Sequence, residues 1–473
     1  MQKRKQTRIR YLLSGILCVL CLCGCALDVE PEETFIQESL QSDYETEKEN
    51  REGFVGEEEY EQNFTRPQVN SNIYIDLMGY APDDQKYAYF VGNGLSETFY
   101  VVEGSTGECV FTGILKKLEN QKSDGKSVYK GDFSNLTEPG VYYIQTPIIG
   151  QSFTFCVKED RYQSQYSELK KEFIEQTPEK YYGNAESAEE RIAVLYSFQK
   201  LATAYQFFPD ACGESYEKKL EEHAEWILEL QKEVLAERDT RKREGSLKTN
   251  YAQPDEEEMQ IVNEDYMFAS AMAAGYYVLE PFNASLAARS LSEAQKAYQN
   301  ASRYKLTGDI RYMAAASLFR AVGSYSYHAV IREAYAQQEE NSLKNGYQKL
   351  PETEGLFCDS RLWSNLFYMT SLKGADMTIC DGQMAEMMTL CGKYLDSVPK
   401  SAFGLIAEKE DSLEGAVWLT IADYIIVSRE YRNVCRQQIH SFMYNMEETD
   451  LLHQQKTTLL LILANLEESG DTE

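Results

Sequence analysis

The stretch Asn72-Ile73-Tyr74-Ile75-Asp76-Leu77-Met78-Gly79-Tyr80-Ala81-Pro82 opens the part of the chain whose reading decides the fold. Apolar and polar residues alternate from Val69 to Asp76, the period-2 pattern of a strand with one buried face. Working outward, comparable runs recur at Lys86–Gly92, Glu97–Glu103, Glu108–Gly113, Ser127–Asp132, Gly140–Thr146 and Ser152–Lys158. Turn residues separate them: Pro82-Asp83-Asp84, Gly92-Asn93-Gly94, Gly104-Ser105-Thr106-Gly107, Ser123-Asp124-Gly125 and Pro139-Gly140. Seven short strands at this spacing between residues 68 and 158 predict a β-sandwich of immunoglobulin-like type.

From Tyr162 the hydrophobic period changes to 3.6. Helical runs recur at 163–176, 186–207, 214–237, 263–280, 284–302, 309–337, 359–373, 379–396, 411–428, 431–446 and 451–467. Short breaks such as Phe208-Pro209-Asp210 and Glu280-Pro281-Phe282-Asn283 string them as hairpins. This suits an α/α toroid or a helical solenoid, and the lack of a fixed short repeat favours the toroid over residues 159–473. The expected fold class is thus multidomain β + α, an immunoglobulin-like β-sandwich followed by an (α/α)6 six-hairpin toroid.

The N-terminus supplies an address. Lys3, Arg4, Lys5, Arg8 and Arg10 precede the apolar run Tyr11–Cys23, too short to span a membrane and right for a signal-peptide core. Its end, Leu22-Cys23-Gly24-Cys25, resembles the bacterial lipobox. That resemblance implies a signal peptide over 1–24 and a lipid on Cys25, anchoring the chain to the outside of the bacterial membrane. The alternative is a soluble secreted protein cut near the same place. Residues 28–61 carry fourteen acids against Lys48 and Arg51, so 25–67 reads as a disordered acidic tether.

Formal charge is −29, which argues against nucleic acid or an anionic membrane surface as partner. Contact with a membrane is expected only through the lipid on Cys25. After Cys25 seven cysteines remain, an odd number without a CxxC, so buried inert thiols are expected rather than a disulfide framework or a zinc site. The four histidines fall singly, and no metal site or cofactor is predicted from them. The acid run Asp255–Glu258 could hold a calcium ion, but a solvated loop is the expected reading.

Several segments resemble family 9 glycoside hydrolases (cellulases). Asn72–Pro82 resembles the "vNqvGYxP" opening of that family's immunoglobulin-like domain, and Gly131-Asp132-Phe133-Ser134-Asn135-Leu136-Thr137-Glu138-Pro139-Gly140-Val141-Tyr142 resembles a later part of it. Ala204–Pro209 and Glu225–Gln231 are similar to the first hairpin of the family's catalytic toroid. The resemblance implies an inverting hydrolysis that needs two carboxyls roughly 6.5–9.5 Å apart. The family's base comes from a DAGD motif and its acid is a Glu leading into the last helix.

Ungapped counting sets Tyr181-Tyr182-Gly183-Asn184-Ala185-Glu186 over the base motif and Asp450 over the acid. The first Asp becomes Gly183, and the two surviving carboxyls exchange side-chain lengths. A displacement of about 1 Å can cost on the order of 100-fold in rate. Glu186 and Asp450 are the candidate catalytic residues, against plain roles as a first-turn acid and an N-cap. Tyr181 and Tyr182 are the candidate sugar-stacking rings, with Trp363, Trp418 and Tyr251 weighed beside them as core aromatics. Three functions follow. The first is a surface lipoprotein that binds β-glucan-type polysaccharide or oligosaccharide with a degenerate hydrolase site. The second is an active inverting endo-β-glucanase, and the third a non-catalytic structural or assembly lipoprotein.

Overall fold

The computed structural model describes residues 69–470, apart from 184, 248, 305–307, 342–358, 407–408 and 447–450. Cys25, the segments 1–24 and 25–67, Cys358 and Asp450 lie outside the described residues.

Seven strands come first: β1 (Ile73–Tyr74), β2 (Tyr87–Val91), β3 (Thr98–Glu103), β4 (Cys109–Ser123), β5 (Lys126–Asp132), β6 (Gly140–Thr146) and β7 (Gly150–Val157). Their order is β1-β2-β5-β4-β3-β6-β7, antiparallel throughout. β4 serves both layers, pairing with β3 as far as Ile114 and with β5 from Leu115 onward. It therefore carries the ladder round one corner of the sandwich. Between the layers sit Phe90, Phe99, Val101, Phe111, Phe133, Ile144 and Phe155. Phe99 fits because two glycines face it: a Cβ on Gly113 would fall 2.3 Å from its ring and one on Gly131 2.7 Å.

The sequence ends the fourth strand at Gly113, whereas the structure continues it to Ser123. Hydrophobic alternation missed this half because Lys116, Lys117, Glu119, Gln121 and Lys122 dominate it. Backbone pairing through the tight Asp124-Gly125 turn holds it, with φ positive at both residues.

Twelve long helices follow among the described residues. They are α1 (Arg161–Glu175), α2 (Ala188–Phe207), α3 (Glu214–Glu244), α4 (Glu256–Leu279), α5 (Ala284–Ser302), α6 (Asp309–Val322), α7 (Tyr325–Asn341), α8 (Ser360–Met369), α9 (Met377–Ser397), α10 (Lys409–Ile426), α11 (Arg429–Met443) and α12 (His453–Gly470). The predicted run 309–337 is two helices. Gly323 takes the left-handed conformation (φ 69°) and ends α6, a break that one glycine in a periodic run does not announce. α3 also runs past the expected 237 to 244, where Gly245 caps it with φ 75°.

The even-numbered helices form an inner ring because they are buried around their whole circumference. Every residue from Ile192 to Phe207 of α2 is buried, and from Tyr312 to Ala321 of α6. Neighbours α2–α4, α4–α6, α6–α8, α10–α12 and α12–α2 pack directly. Trp363 of α8 meets Trp418 of α10 at 5.2 Å and 66°, which closes the ring. Outer helices such as α5 bury one stripe only: Leu286, Ala287, Ser290, Ala294, Ala297, Tyr298 and Ala301.

The sandwich docks on the helices through buried charge. Arg161 of α1 lies 3.1 Å from Asp76 and donates to the Gly79 carbonyl at 2.9 Å. His440 of α11 sits between Asp76 (2.7 Å) and Asp84 (3.1 Å). The Tyr162 hydroxyl lies 2.8 Å from Asp84 and 3.0 Å from His440 Nε2. Arg436 adds 2.8 Å to Asp83.

Candidate functional site at the mouth of the toroid

Glu189 near the start of α2 meets Gln260 near the start of α4 at 2.7 Å, and Tyr312 near the start of α6 meets Asn365 near the start of α8 at 3.2 Å, so these inner helices begin at one end of the ring, its mouth. The predicted base segment lies there, between α1 and α2. A short helix, Pro178–Tyr182, capped by Thr177, ends at Gly183 with φ 75° and ψ −148°. A Cβ at Gly183 would meet nothing within 4 Å. Conformation, not crowding, therefore requires glycine there, in a region that is essentially glycine-only.

Glu186 is exposed, and its carboxylate has no hydrogen bond or ion pair among the described residues. Its backbone is engaged instead: the N–H donates to Glu190 Oε2 at 2.9 Å and the carbonyl accepts from Arg191. Ser187 and Glu190 form a capping box that starts α2. Asp450, the proposed second carboxyl, falls outside the described residues.

Tyr181 and Tyr182 are buried rather than open to a sugar. Tyr182 stacks on Trp226 (5.6 Å, 21°) and lies 2.9 Å from His223 Nδ1 through its hydroxyl, while Tyr181 packs edge-on against Phe173 at 5.5 Å. Packing of the short helix against α1 and α3 accounts for both rings, which corrects the expectation that they line a cleft. Trp363 and Trp418 are core as well, at 0% and 1% exposure. Tyr251 alone of the weighed aromatics is open, at 45%.

Beneath the mouth the ring axis is occupied. Lys200 of α2 pairs with Glu414 of α10 and donates to Thr458 of α12 at 2.6 Å. Tyr196 donates to Glu414 at 2.8 Å and accepts from Trp363 Nε1 at 2.8 Å. Four inner helices are thereby tied by one buried polar network.

The run Asp255–Glu258 is a helix start. Asp255 accepts from the Glu258 N–H at 2.9 Å, and Glu258 returns the bond to Asp255 at 3.2 Å and takes the Asn250 N–H at 2.5 Å. Glu257 pairs with Arg241. Among the described residues no group of His, Cys, Asp and Glu is arranged to hold a metal ion. Five of the six described thiols are buried, and burial pushes Cys212, Cys380 and Cys391 up to about 12.

Sequence reasoning missed a second acidic group at the mouth, where α6 and α8 begin. Asp359 caps α8 by accepting the Leu362 N–H at 3.0 Å. Arg361 lies 2.7 Å from Glu386, which also accepts from Asn365 at 3.0 Å. Burial raises Asp309 and Asp359, and repulsion from Asp309 and Glu386 helps push Asp359 up to about 6. A carboxyl that exchanges its proton near neutrality can serve as a general acid or base. The one available signal was position, since both acids stand at the start of inner helices.

Comparison with known proteins now bears on both halves. Residues 68–151 match the cellulase N-terminal ig-like domain family. A solved family 9 glycoside hydrolase of Bacteroides ovatus superposes with a TM-score of 0.58 at 13% identity, over 85% of this chain and 99% of that one. The chain carries a cellulase N-terminal ig-like domain, and the helical part behind it has the fold of family 9 glycoside hydrolases. A thermostable endoglucanase from Alicyclobacillus acidocaldarius shares the family 9 fold with it at a TM-score of 0.55 and 15% identity, over 79% of this chain and 82% of that one. By sequence, Endoglucanase D of Acetivibrio thermocellus is 31% identical over 99 residues, 21% of this chain and 15% of that protein. The xyloglucan-specific endo-beta-1,4-glucanase BoGH9A of Bacteroides ovatus is 36% identical over 92 residues, 19% of this chain. The chain thus spans about 15% of the length of the curated relatives it matches. The family match lies in the sandwich, and in the toroid it is the fold that is shared.

Proposed function

We propose that this protein is an extracytoplasmic lipoprotein, anchored through Cys25, that binds β-glucan-type polysaccharide with a degenerate family 9 site. One observation carries the reading. The position counted over the family's first aspartate is Gly183, whose backbone (φ 75°, ψ −148°) suits glycine and would strain an aspartate by about 1–3 kcal/mol. The remaining acid of that segment, Glu186, is exposed, and its carboxylate has no partner among the described residues. A general base needs a fixed place relative to the water it activates. Relatives that act on glucan and xyloglucan supply the substrate class.

The test is reducing-sugar release from a panel of β-glucans and xyloglucan by the purified chain, with Glu186→Gln and Asp450→Asn in parallel, followed by affinity electrophoresis in the same polymers. Retarded migration without release is the expected result. Release abolished by both substitutions would instead establish an inverting endo-β-glucanase. Neither release nor retardation would leave the structural lipoprotein. Anchoring is tested by detergent phase partition, where Cys25→Ser should move the chain from the detergent to the aqueous phase.

A further inference from the structure

α3 runs seven residues beyond its expected end, and the chain then turns back over the start of α4. Between α3, α4, the end of α5 and the returning loop lies a cavity of about 320 Å³. It stands at the rim of the mouth, walled partly by outer helices, and so apart from the ring axis. The size lies at the lower end of small-ligand sites, which begin near about 300 Å³.

The lining divides into a closed floor and an open rim. On the floor, Arg238 is held by Asp265 and Glu264 at 2.7 Å each, and Glu258 is held by the α4 capping box. Their charges are spent on one another. On the rim stand Asp239, Lys242, Asn300 and Arg303, whose side chains have no hydrogen bond or ion pair among the described residues. Tyr251 forms the remaining side. Its ring rests on Tyr304 (4.9 Å, 59°) and stays 45% exposed. The Tyr304 hydroxyl is pushed up to about 12 by burial and by Glu258, so it remains a neutral donor.

An exposed aromatic ring beside four unengaged polar side chains, over an apolar backing of Leu235, Leu247 and Ile261, is the chemistry that grips a pyranose. The ring covers the sugar's C–H face and the planar or charged groups take its hydroxyls. Three acids and three bases line the cavity, so the lining carries no net formal charge to select an anionic substituent. We infer that this rim cavity is a binding site for a neutral glycosyl unit, one or two sugars long, stacked on Tyr251 and hydrogen-bonded by Asp239, Lys242, Asn300 and Arg303. It rests on the glucan reading above and adds the place of contact and the charge of the ligand.

The full purified chain is titrated calorimetrically with cellobiose, with cellobiouronic acid and, separately, with β-glucan polymer. Tyr251→Ala and Arg303→Ala change exposed side chains, and thermal melts check that each variant folds. The expected result is cellobiose binding that each variant weakens about tenfold or more. Cellobiose affinity unchanged in both variants, or no cellobiose binding up to its solubility limit, overturns the site. Tighter binding of the uronic acid than of cellobiose overturns its neutrality. Polymer binding that persists after any of these outcomes leaves the glucan reading intact, whereas cellobiose binding without polymer binding removes that reading and keeps the cavity.

Discussion

His440 Nδ1 lies 2.7 Å from Asp76 Oδ2, across the boundary between the toroid and the sandwich. The other ring nitrogen faces Asp84 at 3.1 Å, so both nitrogens meet carboxylates and the ring carries two protons. Burial alone would push this histidine down. The Asp84 and Asp76 carboxylates outweigh it and hold its pKa above the ordinary value. They do so only while the two domains are docked.

The pH consequence has a definite sign. A group whose folded pKa is raised contributes stability that is complete below its unfolded value, here about 6.5, and is lost as pH rises through the folded pKa. Melting temperature should therefore fall in calorimetric scans as pH rises above about 6.5. His440→Gln should remove that slope and cost about 3 kcal/mol at pH 6, because two buried carboxylates lose the cation that stands between them. An unchanged alkaline slope in the variant would refute the assignment.

On the acid side the sign reverses. Burial lowers His223 to about 3, and burial with nearby Lys200 and Lys456 lowers His453 to about 4. Each is neutral when folded and gains a proton on unfolding below about 6.5, so stability should decline from there towards pH 4. Each histidine contributes a slope of up to about 1.4 kcal/mol per pH unit. His453→Asn, read by urea melts at pH 7 and pH 5, should shrink the difference between the two. An unaltered difference would remove His453 from the account.

The alternating runs and the 3.6 period gave the strand–helix order because those patterns record which face is buried. Where burial has no face the patterns fall silent. Inner helices such as α2 are apolar all round, so sequence could name them as helices but not as the inner ring. The polar half of β4 is held by backbone pairing that no side chain advertises. At the mouth, Tyr181 and Tyr182 read as sugar platforms or as core, and their burial and the Tyr182–Trp226 stack favour core. Asp359 owes its raised pKa first to burial and then to Asp309 and Glu386, acids distant in sequence, so no local motif could have disclosed it.

Restoring the family's missing acid is a direct probe of the mouth. Gly183→Asp places a side chain where φ is 75° and ψ −148°, at a cost of about 1–3 kcal/mol. The variant should melt lower and release no more reducing sugar than the parent. A stable, hydrolytically active variant would show that the loop readily accommodates the acid.

The Lys200–Glu414 pair should reveal itself in a double-mutant cycle. Lys200→Met leaves the Glu414 carboxylate buried without its cation, and a loss of about 3–5 kcal/mol is expected from chemical denaturation. Lys200→Met combined with Glu414→Gln should lose less than the sum of the two single changes. Strict additivity would mean that the two groups do not interact.

The clamp at the domain boundary has a consequence for anyone who would treat the sandwich as an interchangeable part. Its anions, Asp76 and Asp84, come from one side of residue 158 and its cations, Arg161, Arg436 and His440, from the other. A cut at that residue leaves the helical half with three cations stripped of their counter-charges, and the strand half with two acids facing water. A sandwich transplanted from another protein would have to arrive with carboxylates in the same two places. Without them the graft would bury three unpaired cations beside whatever apolar contact it made in place of Tyr74 and Tyr89 on Phe403 and Tyr444.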